Sequence, residues 1–431
     1  MMAETKFPRP ADRSDRLGVI ILCDHGWING GQAKIAIESA LSLHRLGLEI
    51  CFIAGSGPLD ERLEHSGIEC HVVGQYDILT DPNRARAAAS GIWNREAARV
   101  VAQCIAARDP RSTVIHVHGW AKALSPSIGP VITRAKAAHV VTLHEYFLAC
   151  PNGGFYDYQA SAICTRRALG ADCLTTNCDA RSAMHKAWRV ARQLVLKSAG
   201  RMPRDLREYI YLAPEQQAIM KSYFSPQARW HYLPNPVGPA PDQRVPAENN
   251  DLFLFVGRLS PEKGAETAAA AAKLANVQIA FCGEGECDSA IRRANPDAIM
   301  AGWVEPEALA TWIERARCLV FPSLWYEGYP LVVADALRAG LPVLVSGSSN
   351  AASSIRHGVD GQHLPAGDVS AWAAAMRSLA SDEMAQSYSE AAFQAGRQLL
   401  DEVEYTSQLI GIYESVRSRR HSVERSWETV Q

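Results

Sequence analysis

Two carboxylates frame an apolar run. In YEGYPLVVADALRAGLPVLVS (326–346), Glu327 and Asp335 stand eight residues apart around a stretch that otherwise reads as buried α/β packing. Two carboxylates around a buried run raise the question of an acid/base pair. The plainer reading makes Glu327 a cap-like anion and Asp335 an exposed helix carboxylate. Two cations come earlier. FVGRLSPEKG (255–264) sets Arg258 just past an apolar run that ends at Gly257, and Lys263 five residues on, where an alanine-rich helix begins. A guanidinium fork, a compact ammonium and a helix N-terminus together suit a diphosphate. On spacing alone, solvated loop charges explain them equally well. Near the start, Gly30-Gly31 precedes a helical pattern over 32–46. Such a pair lets a backbone approach an anion at a helix N-terminus, and a bare connecting turn explains it too. His144 closes the run HVVTLHE (139–145); a satisfied strand-end histidine is its plainer reading.

The elements that must position these residues form two series. The runs 17–23, 49–55, 69–74, 112–119, 139–145 and 209–213 are near-continuous apolar strands separated by helical stretches. That pattern predicts a parallel sheet covered on both faces. It restarts with 252–257, 277–283, 298–302, 318–323 and 341–347. Between the series lies YLPNPVGPAPDQRVPAENND (232–251), with five prolines, a linker by composition. The expected order is a disordered tail (1–16), a Rossmann-like domain (17–235), a linker (236–251), a second Rossmann-like domain (252–404), and a C-terminal helix and tail (405–431). The amphipathic stretch 405–420 is expected to pack back on the first domain. In open α/β sheets, ligands bind beyond the carboxyl ends of the strands, so two facing domains create a cleft. Pro330 fits a first helical position, and Gly340 followed by Pro342 fits a helix end.

The chain has 431 residues, 47% of them hydrophobic and 21% charged, with a net charge of −2. This is globular composition long enough for two cores, without the basic field of a nucleic-acid binder. The run Leu17–Cys23 is too short for a signal core or a membrane span. Eleven cysteines without an export signal point to reduced thiols and a cytoplasmic location. G-x-G-x-x-G is absent at residues 26–31, and GSGP (55–58) and GEGE (283–286) are too incomplete to indicate a dinucleotide. Cys150, Cys164, Cys173 and Cys178 lack the C-x2-C knuckle of a zinc site and read as buried thiols. The segment 181–207 carries eight Lys/Arg against one Asp. It reads either as a solvated helix or as a basic amphipathic helix on an anionic membrane, with Arg189 and Arg192 as its testable charges.

Taken together, NGGQAKIAIESALSLHRLG, VTLHEYFLACPNG, LPNPV, FVGRLSPEKG and FPSLWYEGYPLVVADALRAGLPVLVS make the chain, from about Leu17 to Val416, resemble the retaining glycosyltransferases of the large family numbered four. The resemblance implies an α/β fold of two Rossmann-like domains facing a cleft (GT-B). It implies a nucleotide-sugar donor held mainly by the C-terminal domain, and a glycan or lipid-linked acceptor. It implies that Arg258 and Lys263 hold the donor diphosphate, and that Glu327 opens an E-x7-E motif near the sugar. Gly257, Gly328 and the loop Tyr329, Pro330, Leu331 and Val332 surround the donor. Asp335 contacts the ribose, Gly30 and Gly31 form the N-domain glycine loop, and His144 faces the transferred sugar. It further implies same-face substitution with neither a catalytic metal nor another cofactor. Two positions depart from the family. Asp335 replaces a glutamate and is one methylene shorter, and Ala213 replaces a serine before a helix. Two alternatives stay open: a sugar-nucleotide epimerase on the same fold, and a binding protein with a degenerate site.

Overall fold

The structure is a computed structural model that describes residues 17–428; the expected tail 1–16 lies outside them. Its strands are β1 (Gly18–His25), β2 (Glu49–Ser56), β3 (Glu69–Val72), β4 (Thr113–Val117), β5 (Ala138–Thr142), β6 (Tyr156–Asp157), β7 (Ala162–Ile163), β8 (Glu208–Tyr211), β9 (Arg229–Tyr232), β10 (Leu252–Val256), β11 (Ile279–Cys282), β12 (Ile299–Gly302), β13 (Ala316–Phe321), β14 (Val343–Ser346) and β15 (Gly361–Leu364). Seven strands make the first sheet, in the order β3-β2-β1-β4-β5-β8-β9. Six make the second, in the order β12-β11-β10-β13-β14-β15. All pairings within these two sheets are parallel. The order reverses beside β1 and again beside β10, which opens a crevice at the carboxyl end of each.

Central strands β1, β4, β5 and β13 are buried along their whole length, which is why their sequences read as unbroken apolar runs. Edge strands β9 (RWHY) and β15 (GQHL) carry no such run and escape sequence reading. Arg229 and His231 of β9 instead bond the buried Glu208 of β8, at 3.1 and 2.8 Å. The short antiparallel pair β6–β7 lies within the cysteine-rich segment.

The C-terminal helix Glu402–Glu428 returns to the first domain. Tyr405, Leu409, Tyr413 and Val416 fall on one face and are buried with the side chains of β1. Val237 N donates to Leu400 O at 2.9 Å where the chain crosses and returns. The second half of the proline-rich stretch belongs to the second domain: Val245 and Ala247 sit in its core, and Val245 N donates to Ala339 O at 2.9 Å. Among the described residues no helix is long and apolar enough to cross a membrane.

Candidate active site

The loop after β10 and the loop after β13 are locked together by backbone. Gly264 has φ +70°, and a Cβ there would lie 2.2 Å from the carbonyl oxygen of Pro322; Leu324 N donates to Glu262 O at 2.8 Å. This contact brings Lys263 to Glu327. Lys263 Nζ donates to both carboxylate oxygens, at 2.8 and 3.0 Å. Ser323 Oγ and Trp325 Nε1 donate to Oε1 as well, at 2.6 and 2.8 Å. Lys263 Nζ also lies 5.5 Å from the centroid of the Trp325 ring. Glu327 is therefore a buried, fully bonded carboxylate. Its backbone carbonyl accepts from Tyr146 Oη at 3.2 Å and from Asn350 Nδ2, which ties the second domain to the first. Arg258, just past Gly257, is exposed; its carbonyl accepts from Ser260 N at 2.9 Å, and its guanidinium makes no hydrogen bond or salt bridge among the described residues.

The helix Leu331–Ala339 begins one residue later than the sequence predicts, with Pro330 at its N-cap. It ends as expected at Gly340, φ +77°, where Leu341 N donates to Ala336 O at 2.8 Å. The first N–H groups of this helix have no intrahelical partner and follow Glu327, Gly328 and Tyr329 in the chain. Asp335 lies one turn further on and is half-buried, so the exposed-carboxylate reading is excluded. Burial raises its pKa, and Lys34 and Arg338 pull it down.

Lys34 belongs to the helix Gly31–Arg45 of the first domain. A Cβ on Gly31 would lie 3.4 Å from Leu331 Cδ1, so the glycine pair faces the start of the second-domain helix; one on Gly30 would meet nothing within 4 Å. A Cβ on Gly328 would lie 2.5 Å from the carbonyl oxygen of His144. Only glycine allows that approach, and it sets His144 against the Glu327 loop.

His144 is one end of a histidine chain. Its Nε2 shares a hydrogen bond with His118 Nδ1 at 3.0 Å, and His118 Nε2 lies 3.1 Å from His116 Nδ1. His116 also bonds Tyr413 Oη and Thr142 Oγ1, each at 2.7 Å. Burial drives His116 and His144 down to about 3, and His118 well below its ordinary value. The chain is therefore neutral at physiological pH.

The basic segment 181–207 is not a free charged face, which corrects the choice of Arg189 and Arg192 as its testable charges. Arg192 is buried, donates to Ala121 O at 2.8 Å and lies over the rings of Phe147 and Trp188. Arg189 pairs with the buried Asp179 at 2.7 Å. Lys186 is buried too, with Nζ 3.0 Å from Cys178 Sγ and 3.5 Å from Cys173 Sγ. All eleven cysteines are free thiols. Ala213 caps its helix without a side-chain bond; Gln216 Oε1 instead accepts from Leu212 N at 2.9 Å.

Six contributors escaped sequence reading. Ser323 and Trp325 lie within FPSLWYEG, but a bonding role has no local signature. Tyr146 and Asn350 reach Glu327 only through the fold. His116 on β4 and His118 just beyond it alternate in VIHVHG, a period-two signal that places them on one face and would have found them.

Residues 240–395 match the family described as glycosyl transferases group 1. The chain is 26% identical over 151 residues to the lipopolysaccharide 1,2-N-acetylglucosaminetransferase of Salmonella typhimurium, covering 31% of this chain and 40% of that protein. It is 31% identical over 146 residues to the D-inositol 3-phosphate glycosyltransferase of Mycobacterium avium, covering 30% and 34%. The chain thus spans well under half the length of these curated relatives. The crystal structure of Anabaena Alr3699/HepE in complex with UDP and glucose superposes with a TM-score of 0.64 at 16% identity, covering 93% of this chain and 100% of that one. Sucrose-phosphate synthase from Thermosynechococcus elongatus gives 0.64 at 18%, covering 94% and 100%. At these identities the likeness carries the two-domain fold.

Proposed function

We propose that this chain, whose residues 240–395 match the glycosyl transferases group 1 family and which has the GT-B fold, transfers a hexose-type sugar from a nucleotide-sugar to a glycan or lipid-linked acceptor. The transfer retains anomeric configuration, uses no catalytic metal, and serves cell-surface polysaccharide or glycolipid assembly. The observation that carries this reading is the bonding of Glu327. Its Oε1 already accepts from Lys263, Ser323 and Trp325, and a carboxylate so engaged is a poor nucleophile. That favours same-face substitution over double displacement. The bond from the anomeric carbon to the leaving phosphate oxygen breaks on the face where the acceptor oxygen arrives, and the leaving phosphate takes the acceptor proton.

Arg258 and Lys263 stabilise the charge that develops on the diphosphate, the role a metal has in other transferases. Glu327 keeps Lys263 at the cleft, and the helix N-terminus at 329–332 adds backbone donors. Gly30 and Gly31 approach from the first domain, and Asp335 takes the ribose. The carbonyl of His144 is covered by Gly328 and its Nε2 is held by His118, so the Nδ1 edge is what it offers the sugar. A lipid-linked acceptor would draw the chain to the inner face of a membrane. On 181–207 the exposed Met184 and Leu194 are the side chains suited to that contact.

The test is nucleoside diphosphate release from a matched donor, with and without acceptor, and NMR of the product linkage. Acceptor-dependent release with the donor's anomeric configuration kept is expected. Donor conversion without acceptor would make the chain an epimerase, and an inverted linkage would exclude the same-face step.

A further inference from the structure

A second set of chemistry-bearing residues lies far from the cleft, at the amino ends of the outer strands of the first sheet. Cys51 on β2 is paired in register with Glu69 on β3, and Ile53 with His71. Side chains alternate along a strand, so Cys51, Glu69 and His71 point to the same face. The helix Arg95–Ala106 covers that face and brings Cys104 into the same core cluster as Cys51. One sulfur, oxygen or nitrogen atom from each of Cys51, Glu69, His71 and Cys104 lies within 4.8 Å of all the others. Sequence gave no sign of this grouping, because its members come from three elements and form no knuckle.

We propose that Cys51, Glu69, His71 and Cys104 are the four ligands of a structural zinc-type divalent cation. Two thiolates, an imidazole and a carboxylate form a donor set that zinc takes in a closed tetrahedral site. A tetrahedron with bonds of about 2.0–2.3 Å spaces its ligand atoms about 3.3–3.8 Å apart, so closing the site contracts the widest pair by about 1–1.5 Å. Cys51 Sγ already stands 3.9 Å from Glu69 Oε1, and His71 Nε2 stands 2.7 Å from the same oxygen. Arg108 supplies the outer support. Its side chain is buried, its Nη1 donates to Cys104 O at 2.8 Å, and its Nη2 holds Glu69 Oε2. That leaves Oε1 for the cation, the arrangement by which an outer partner orients a ligating carboxylate. The charges close as well: two thiolates and one carboxylate are offset by a divalent cation and the Arg108 guanidinium. Binding releases the two thiol protons to solvent. Glu69 and His71 are both partly exposed, which leaves the ion a way in.

The full chain, stripped with a chelator and titrated with Co²⁺ as a spectroscopic stand-in for zinc, tests this. One equivalent should bind, with thiolate-to-cobalt charge transfer in the near ultraviolet and tetrahedral visible bands, and Zn²⁺ should displace it. Cys104→Ser should lose the charge-transfer band. The partly exposed His71→Ala, which does not threaten the core, should weaken binding by at least about tenfold. Cys173→Ser with Cys178→Ser should leave the titration unchanged. The proposal is overturned by a wild type without the thiolate band, by unaltered affinity in His71→Ala, or by loss of the band only with Cys173 and Cys178. A Cys51–Cys104 disulfide in freshly purified metal-free protein would overturn it too.

Discussion

The two sheets share one strand order but hold their functional groups by different means. In the second domain the means is backbone contact: Gly264 against Pro322, and Gly283 against the carbonyl of Gly257, where a Cβ would lie 2.0 Å away. The loops carrying Arg258, Lys263 and Glu327 are fixed before any side chain acts. In the first domain the means is a buried polar network. The Asp24 carboxylate accepts from the backbone of Lys122, Ala123 and Leu124 at 3.0, 2.8 and 3.0 Å. His144 is held through His118 and His116 by Tyr413, a residue of the C-terminal helix. Backbone contacts between glycine loops are written locally in a sequence, whereas a network spanning almost 300 positions, from His116 to Tyr413, is not. The family match falls on the locally written half.

The contrast can be broken most forcefully at Lys263. Lys263→Met leaves the buried Glu327 carboxylate without its cation, which should cost about 3 kcal/mol of stability as well as turnover. A wild-type melting temperature in that variant would mean the Glu327 carboxylate does not depend on its cation. The first domain should respond to acid instead. His116 titrates near 3 in the fold against an ordinary value of 6.5. Between those values the unfolded chain binds a proton that the folded chain does not. The His116 contribution to stability is therefore full above pH 6.5 and falls by about 1.4 kcal/mol per pH unit as pH drops toward 3, and His118 and His144, depressed in the same direction, add to the slope. Denaturant unfolding at pH 7, 6 and 5 measures this; His116→Gln should make the slope shallower by the share of one histidine, and an unchanged slope would contradict a neutral His116. Tyr413→Phe removes one buried bond to that chain and should cost about 1 kcal/mol, read by the same unfolding curves. The smallest structural effect is expected at Gly30→Ala, whose Cβ meets nothing. Its melting temperature should stay put while donor affinity falls several-fold by calorimetry; equal affinity would remove the glycine pair from the site.

The same contrast explains what the sequence reveals. The apolar runs disclosed the strands buried on both faces and missed β9 and β15, which sit at sheet edges and need no such run. The Gly340 helix end was legible because a left-handed residue leaves a local mark. The cation pair and Glu327 were legible as a motif, but the direct bond between Lys263 and Glu327 was not, since it depends on the approach of Gly264 to Pro322. The basic composition of 181–207 misled, because composition does not say which way Lys186 and Arg192 turn.

The most direct measurement is thermal unfolding across UDP-, GDP-, ADP- and dTDP-sugars, wild type against Arg258→Ala. The Arg258 guanidinium is exposed and makes no hydrogen bond or salt bridge among the described residues, so the two proteins should melt together without ligand. One nucleotide class should stabilise the wild type, by about 2.7 kcal/mol at a hundred times its Kd, and should lose most of that effect in Arg258→Ala. A wild type that no nucleotide-sugar stabilises, or a variant stabilised as strongly as the wild type, would contradict the account.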